Sequence, residues 1–226
     1  MRSPAGIEHL RVRMRAYVQR SLGVLTSIHA QGAIIVDLEG LEHGGGYYHA
    51  DPRRLSTLAP EMEGISDEIL STLRGAGLRV GVAVAPQVDG DEDSQAQDLA
   101  ESMAYAKQRW GTTLALMLGT PSHPQQFPGR LIGLAAMAHR DVLLISMGAY
   151  RDSSESFVPM RDPDKEGWTE DQTHPHGGFS AIYVVDRALR QPERVRAALA
   201  AGDIALVRGW FEDPGVQLIR GWTHDP

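Results

Sequence analysis

The feature that most constrains this chain is an alternation along its length: short apolar runs, each sized for one strand, separated by longer stretches with helical periodicity. Ala33 to Gly40, Arg79 to Ala85, Thr112 to Leu118, Asp141 to Met147, Phe179 to Val185 and Ile204 to Arg208 are six such runs. They are apolar on both faces, as strands covered on both sides must be. Helices are predicted over Ile7 to Ile28, Ile65 to Arg74, Ser94 to Arg109, Leu131 to His139 and Pro192 to Ala200. Two-face-apolar strands joined through helices form a parallel sheet with right-handed crossovers. The expected fold class is therefore α/β, a (β/α) barrel of the TIM type. Six strands are two short of the eight that close such a barrel, so an incomplete one is expected, with an open doubly wound sheet as the alternative.

Local signals set the element ends. In the first helix Ile7, Leu10, Met14, Tyr17, Val18, Leu25 and Ile28 recur at three- and four-residue steps, while Arg11, Arg13, Arg15 and Arg20 line the other face. Gly75 and Gly77 stop the second helix, Ser94 and Gln97 have capping-box spacing, and Pro192 suits a first helical turn. The stretch from Arg151 to Gly178 has no clear period and reads as a long loop. No repeat of solenoid length occurs.

With 226 residues the chain can bury one sizeable core, so one domain is expected: an N-terminal helix over 1–30, βα repeats over 31–215 and a tail over 216–226. Twenty-two Lys and Arg against 29 Asp and Glu give a net charge of −7, which argues against nucleic acid or an anionic membrane surface as partner and favours a neutral or cationic small ligand. The absence of cysteine removes disulfides, thiolate metal sites and a cysteine nucleophile. No apolar run reaches the roughly 18 residues of a membrane span, and no secretory h-region stands at the N-terminus, so a cytoplasmic protein is the default reading.

Ligands of parallel α/β folds gather at the carboxyl ends of strands, which singles out Asp37 and Glu39. Residues two apart in a strand share a face, so both are expected in one concave site. Paired carboxylates there can act as general acid and base, position sugar hydroxyls or hold a hard cation; the plainer alternative is a helix cap or a partner for an arginine. The loop that follows carries Glu42, His43, Tyr47, Tyr48 and His49 around three glycines, a mixture of carboxylate, imidazole and aromatic faces suited to a sugar or a metal. Phosphate-loop and dinucleotide glycine spacings are absent, and no cofactor is expected. His174 and His176 flank Pro175 without supporting metal-ligand spacing, and neither Ser146 nor Ser180 has a nucleophile-elbow context. The acidic run Asp89 to Asp93 lacks the glutamate of a calcium loop and reads as a solvated turn.

The segment from Gln31 to Gly40, then Asp51-Pro52-Arg53, Ala59-Pro60-Glu61-Met62, Ala76 to Val82, Tyr105 to Gly111, Gly202-Asp203-Ile204 and Arg208 to Phe211, in that order, resembles a group of bacterial glycoside-hydrolase-like (β/α) barrel proteins. The likeness spans about residues 20 to 215. It implies a barrel shortened at its N-terminal side that binds, and in its active form hydrolyses, a carbohydrate or related polyhydroxylated ligand. It departs from that pattern at two strand ends: Leu116 to Thr120 lacks the Asp, and Ile145 to Ala149 lacks the Glu-His, that the family places there.

The expected roles follow. Glu39 is the acid/base, Asp37 the second carboxylate, and Glu61 a third acid, because glycosidases draw their two carboxylates from different strands. His43, Tyr47, Tyr48, His49 and Trp210 are the expected ligand contacts. Two other classes stay open: a non-catalytic binding or assembly protein with a degenerate site, and a metal-dependent hydrolase using His43, His49, His174 or His176 with Asp37. Open sheet edges invite pairing, so a homodimer is expected, with the edges or the first helix at its interface.

Overall fold

The computed structural model describes residues 3–39, 42–43, 47–48, 50–87, 90–118, 128–147, 156–161, 181–184 and 192–207. The chain opens with α1 (Pro4–Ser27) and β1 (Gly32–Ile35), then a two-strand hairpin of β2 (Glu42–His43) and β3 (Tyr47–Tyr48). There follow α2 (Leu55–Leu58), α3 (Glu63–Gly75), β4 (Arg79–Val84), α4 (Glu92–Trp110), β5 (Leu114–Met117) and α5 (Gly129–Ala138). The described part ends with β6 (Leu143–Met147), β7 (Val158–Arg161), β8 (Ala181–Val184), α6 (Pro192–Ala200) and β9 (Ile204–Val207).

Among the described residues, seven strands form one parallel sheet in the order β1-β4-β5-β6-β7-β8-β9, so spatial order follows chain order throughout. A doubly wound sheet reverses its strand order at a switch point; this one never does, which removes that alternative. The sheet is also curled. Alternate residues Val80, Val82, Val84, Ala115, Met117, Val142 and Leu144 pack with α3, α4 and α5 in an outer core. The intervening ones, Ala83, Ala85, Leu116, Leu118, Ile145 and Val158, form an inner cluster joined by Ile34 of β1 and by Ile204 and Leu206 of β9. Side chains from the first and last described strands therefore pack against one inner cluster, as in a (β/α) barrel whose interior is a packed core.

Glycines let the strands come close on this inner face. A methyl group on Gly81 would stand 2.6 Å from both Cβ and O of Leu114, its register partner, so only hydrogen fits there.

Several sequence expectations are corrected. Among the described residues the sheet has seven strands rather than six, because β7 lies within the stretch read as a featureless loop. Its polar and Pro-containing sequence, Val158-Pro159-Met160-Arg161, hides the apolar run. The helix expected to open at Ser94 begins at Glu92 with Asp91 as its cap, the Asp91 carboxylate accepting the Ser94 N–H at 2.8 Å. Glu92 and Asp93, read as part of a solvated turn, pair with Arg130 of α5 at 3.2 and 2.8 Å. The first helix turns Leu10, Met14, Val18, Leu22 and Leu25 to its own chain's core and bonds α3 through Arg11 and Arg15 to Glu68, so its apolar stripe is used internally.

The Trp110 segment has a structural role. Trp110 is buried and gives its indole N–H to Asp67 of α3 at 2.6 Å; Arg109 lies 5.0 Å over its ring and bonds Asp67 at 2.9 Å as well as Glu63. Although partial burial alone would raise the Asp67 carboxyl, its bonds to Arg109 and Trp110 hold it below the ordinary value. Gly111 then ends α4 in the left-handed conformation, φ 66°, as a glycine C-cap. No described helix is long and apolar enough to cross a membrane.

Candidate functional site

The carboxyl end of β1 carries the predicted acids, but not as continued strand. Ladder pairing stops at Ile35, and Asp37 takes φ 62°, a left-handed conformation that non-glycine residues adopt at a cost of roughly 1–2 kcal/mol. This corrects the alternation argument. Extended backbone would have kept Asp37 and Glu39 on the face of Ala33 and Ile35, which look toward the helices. The turn at Asp37 redirects the chain instead, leaving Asp37 half-buried and Glu39 only 4% exposed.

Glu39 meets a second buried acid, Asp51, which is 2% exposed. Burial pushes the Glu39 carboxyl above its ordinary 4.5; backbone N–H groups of Glu39 and Asp51 act in the opposite direction, and the charges of Asp37 and Asp51 add to the rise. Asp51 belongs to a fixed turn. It caps the single helical turn Pro52–Arg54, accepting the Arg53 N–H at 3.2 Å and the Arg53 Nε–H at 2.8 Å. Proline at the first position of that turn is already set at the required φ.

Arg53 ties this turn to α4. Its Nη1 lies 2.9 Å from Asp98 Oδ1, and the other Asp98 oxygen accepts the Gln87 N–H, just past β4, at 2.7 Å. Burial alone would weaken the Arg53 cation, but the bonds to Asp51 and Asp98 raise its pKa above the ordinary arginine value. Ala50, fully buried with φ 49°, accepts the Ala85 N–H through its carbonyl at 2.8 Å and anchors the turn to the end of β4. The ends of β1 and β4 thus share one network: Glu39, Asp51, Arg53, Asp98 and Gln87.

Sequence reading missed four of these five, though Asp51-Pro52-Arg53 was visible as a motif. The available signal was an Asp directly before Pro, the pattern of a capped turn. Of the other predicted site residues, Glu61 is half-buried in the single turn Pro60–Met62 that leads into α3. His43, Tyr47 and Tyr48 lie in the hairpin, with His43 opposite Tyr47 and Glu42 opposite Tyr48. His49, His174, His176, Ser180 and Trp210 lie outside the described residues. Ser146 is buried on the face of Val142 and Leu144, turned to the helix layer and away from the barrel interior. Among the described residues no group of three or more histidines and acids is arranged to hold a metal ion.

A parallel sheet wound in chain order around an inner apolar cluster, with buried carboxyl groups at its carboxyl end, defines a barrel of the TIM class. Solved structures place it further. The chain is similar to alpha-L-fucosidase AlfC from Lactobacillus casei in complex with alpha-L-fucose product, with a TM-score of 0.56 at 9% identity over 91% of this chain and 78% of that one. It is also similar to a sugar phosphate isomerase/epimerase from Parabacteroides distasonis, with a TM-score of 0.50 at 12% identity over 89% and 88% of the two chains. A substrate complex of a variant of the fucosidase gives 0.51 at 10% identity. At these identities the likeness is one of fold, shared with carbohydrate-active TIM barrels. No family model matches the sequence, and no curated protein matches it either.

Proposed function

We propose that this barrel binds a carbohydrate or related polyhydroxylated ligand at the carboxyl ends of β1 and β4 and hydrolyses a glycosidic bond there, with Glu39 as acid/base. One observation carries the reading: Glu39 is a carboxyl group at a strand's carboxyl end, 4% exposed, whose pKa burial raises above the ordinary glutamate value. A general acid must hold its proton near working pH, and burial beside other carboxylates is the usual means. Asp37 serves as the second carboxylate, or Glu61 in its place where the partner acid comes from another element. His43, Tyr47, Tyr48, His49 and Trp210 supply the ligand contacts, aromatic faces and hydrogen-bonding edges being what sugars require. The fold's likeness to a fucosidase holding fucose and to a sugar phosphate isomerase supports a sugar as the ligand class.

A second reading, binding without hydrolysis, is favoured by β5 and β6. Leu116, Met117 and Leu118 are buried apolar residues at the end of β5, and Ser146 near the end of β6 faces the helices. Among the described residues neither strand brings an acid to the site.

A panel of nitrophenyl glycosides, assayed with wild type and Glu39→Gln, together with calorimetric titration of the corresponding free sugars, separates the readings. Turnover by wild type that is lost in Glu39→Gln is the expected result. Sugar binding without turnover by either form selects the second reading, and neither binding nor turnover across the panel overturns both.

A further inference from the structure

We propose that Arg53 is a positioning residue for the β2–β3 hairpin: by joining Asp51 to Asp98 it sets the direction in which the hairpin leaves the barrel, and with it the placing of His43, Tyr47 and Tyr48 for a ligand. This rests on the reading of those three residues as ligand contacts.

The hairpin is aimed by its two roots. Among the described residues β2 and β3 pair with each other and with no strand of the barrel sheet, so no ladder holds the hairpin from the side. Leu38 and Glu39 before it and Ala50 and Asp51 after it are all buried, none more than 4% exposed. Each root also carries a left-handed residue, Asp37 at φ 62° and Ala50 at φ 49°. Such backbone persists only where surrounding contacts impose it. At the second root those contacts decide the exit direction.

Two sets of contacts fix that root. The Ala50 carbonyl accepts the Ala85 N–H at 2.8 Å. The next residue, Asp51, is gripped through both oxygens by the Arg53 guanidinium, Nε at 2.8 Å and Nη2 at 3.4 Å. Nη1 carries the grip to α4, where it lies 2.9 Å from Asp98 Oδ1 and 3.4 Å from the Asp98 carbonyl oxygen, and Asp98 is itself fixed by the Gln87 N–H at 2.7 Å. A planar fork of donors bridges two carboxylates in this way; the single ammonium of lysine does not. The root is thus tied to the end of β4, to the chain after β4 and to α4, all parts of the barrel wall. As a stabilising device the arrangement is poorly explained, because desolvating the ions offsets much of what their attraction returns. What it secures is direction.

The chain has no cysteine, so nitroxide labels can be set at chosen pairs of introduced cysteines. One pair, Glu42→Cys with Gln97→Cys, joins the hairpin to the exposed side of α4; a second, Gln19→Cys with Gln97→Cys, spans α1 and α4 as a control within the barrel wall. Distances between the labels are measured by pulsed electron spin resonance in the parent background and in Arg53→Met, Arg53→Lys and Asp98→Asn. The hairpin pair is expected to give one narrow distribution in the parent and a broadened or displaced one in all three variants. Arg53→Lys belongs with the others because it keeps the charge and loses the fork. The control pair should stay unchanged, and amide exchange of the Ala85 N–H should accelerate in the same variants.

An unchanged hairpin distribution in the variants that fold overturns the proposal. A control pair that broadens to the same degree overturns it too, since Arg53 would then hold the whole wall rather than aim the hairpin. Arg53→Lys and Asp98→Asn carry the test if Arg53→Met, which strands two carboxylates, does not fold. The labels need no sugar, so the proposal fails separately from the function: a hairpin that loosens in a protein binding no sugar retains the positioning role and discards the ligand reading. Where a nitrophenyl glycoside is turned over, the variants should raise KM more than they lower kcat; loss of kcat at unchanged KM overturns the proposal.

Discussion

Glu39 and Asp51 are both buried at the carboxyl end of β1, 4% and 2% exposed, and the negative charge of Asp51 adds to the rise that burial imposes on the Glu39 carboxyl. Burial is the larger influence on Glu39 and keeps its pKa above 4.5 in the folded chain. Across the interval from that ordinary value up to the raised one, the folded state binds more protons than the unfolded state. Stability therefore falls as pH rises through the interval. Glu39→Gln keeps the shape and deletes the titration. Its melting temperature is expected to match or exceed that of wild type at neutral pH, and the difference is expected to shrink as pH is lowered below the ordinary glutamate value. Differential scanning calorimetry across that range checks it; a variant less stable at neutral pH than in acid, relative to wild type, contradicts the sign.

The outer layer offers a control far from the site. Asp67→Ala leaves the buried Trp110 indole N–H without its acceptor and removes a partner of Arg109. A stranded buried donor costs about 1–3 kcal/mol, and chemical denaturation should show a loss of that size. Asp67→Asn keeps an oxygen for the indole and loses only the charge. Because the Asp67 pKa is held below its ordinary 3.8, its contribution is complete above that value and fades as pH falls through the lowered one. The Asn variant should accordingly lose the part of acid sensitivity that this carboxylate supplies.

Inside the barrel the sensitive position is Gly81. A Cβ there would stand 2.6 Å from Leu114 main-chain and side-chain atoms on the neighbouring strand, and backbone cannot swing aside. Gly81→Ala is expected to cost about 1–3 kcal/mol through overpacking, despite the better intrinsic strand and helix entropy of alanine. Gly133, on α5 with open space around its would-be Cβ, is the matched control and should tolerate alanine or gain from it. Equal losses at both positions would show that inner-face crowding is not the cause.

How far the sequence led can be traced through single residues. Val80, Val82 and Val84 alternate with Gly81, Ala83 and Ala85, and that pattern gave both the strand and its two buried faces. Element order followed, and with it the parallel barrel. The misses have local causes. Pro159 and Arg161 broke the pattern of β7, although Phe157 and Val158 pack into the outer and inner cores. At the site, alternation was extended past Ile35, where it no longer applies, because a left-handed residue at Asp37 carries no periodic signature. The same holds for Ala50. Arg53 and Asp98 are 45 positions apart, and no spacing rule joins an arginine in a turn to an aspartate on a distant helix.

Association of the chain depends on the margins of its sheet. Among the described residues β1 pairs on one side only, with β4, and β9 on one side only, with β8. Their residues are half-exposed, whereas those of β5 are buried throughout. Unpaired main-chain N–H and C=O groups along a sheet edge recruit other strands unless something covers them. The first helix, once a candidate for the interface, spends its apolar stripe on its own core through Leu10, Met14 and Val18. It leaves Val12 and Tyr17 exposed, too little apolar surface for a stable contact by itself. The edges are then the stronger attachment point, and a closed two-fold dimer is the commonest way to satisfy them. Light scattering at micromolar concentration is expected to report twice the 24.7 kDa mass of the chain. A lysine or proline substitution at Ala205, on the edge strand β9 and outside both core clusters, should shift the population toward monomer. A monomer in the wild type at every concentration would mean that the chain covers both edges itself.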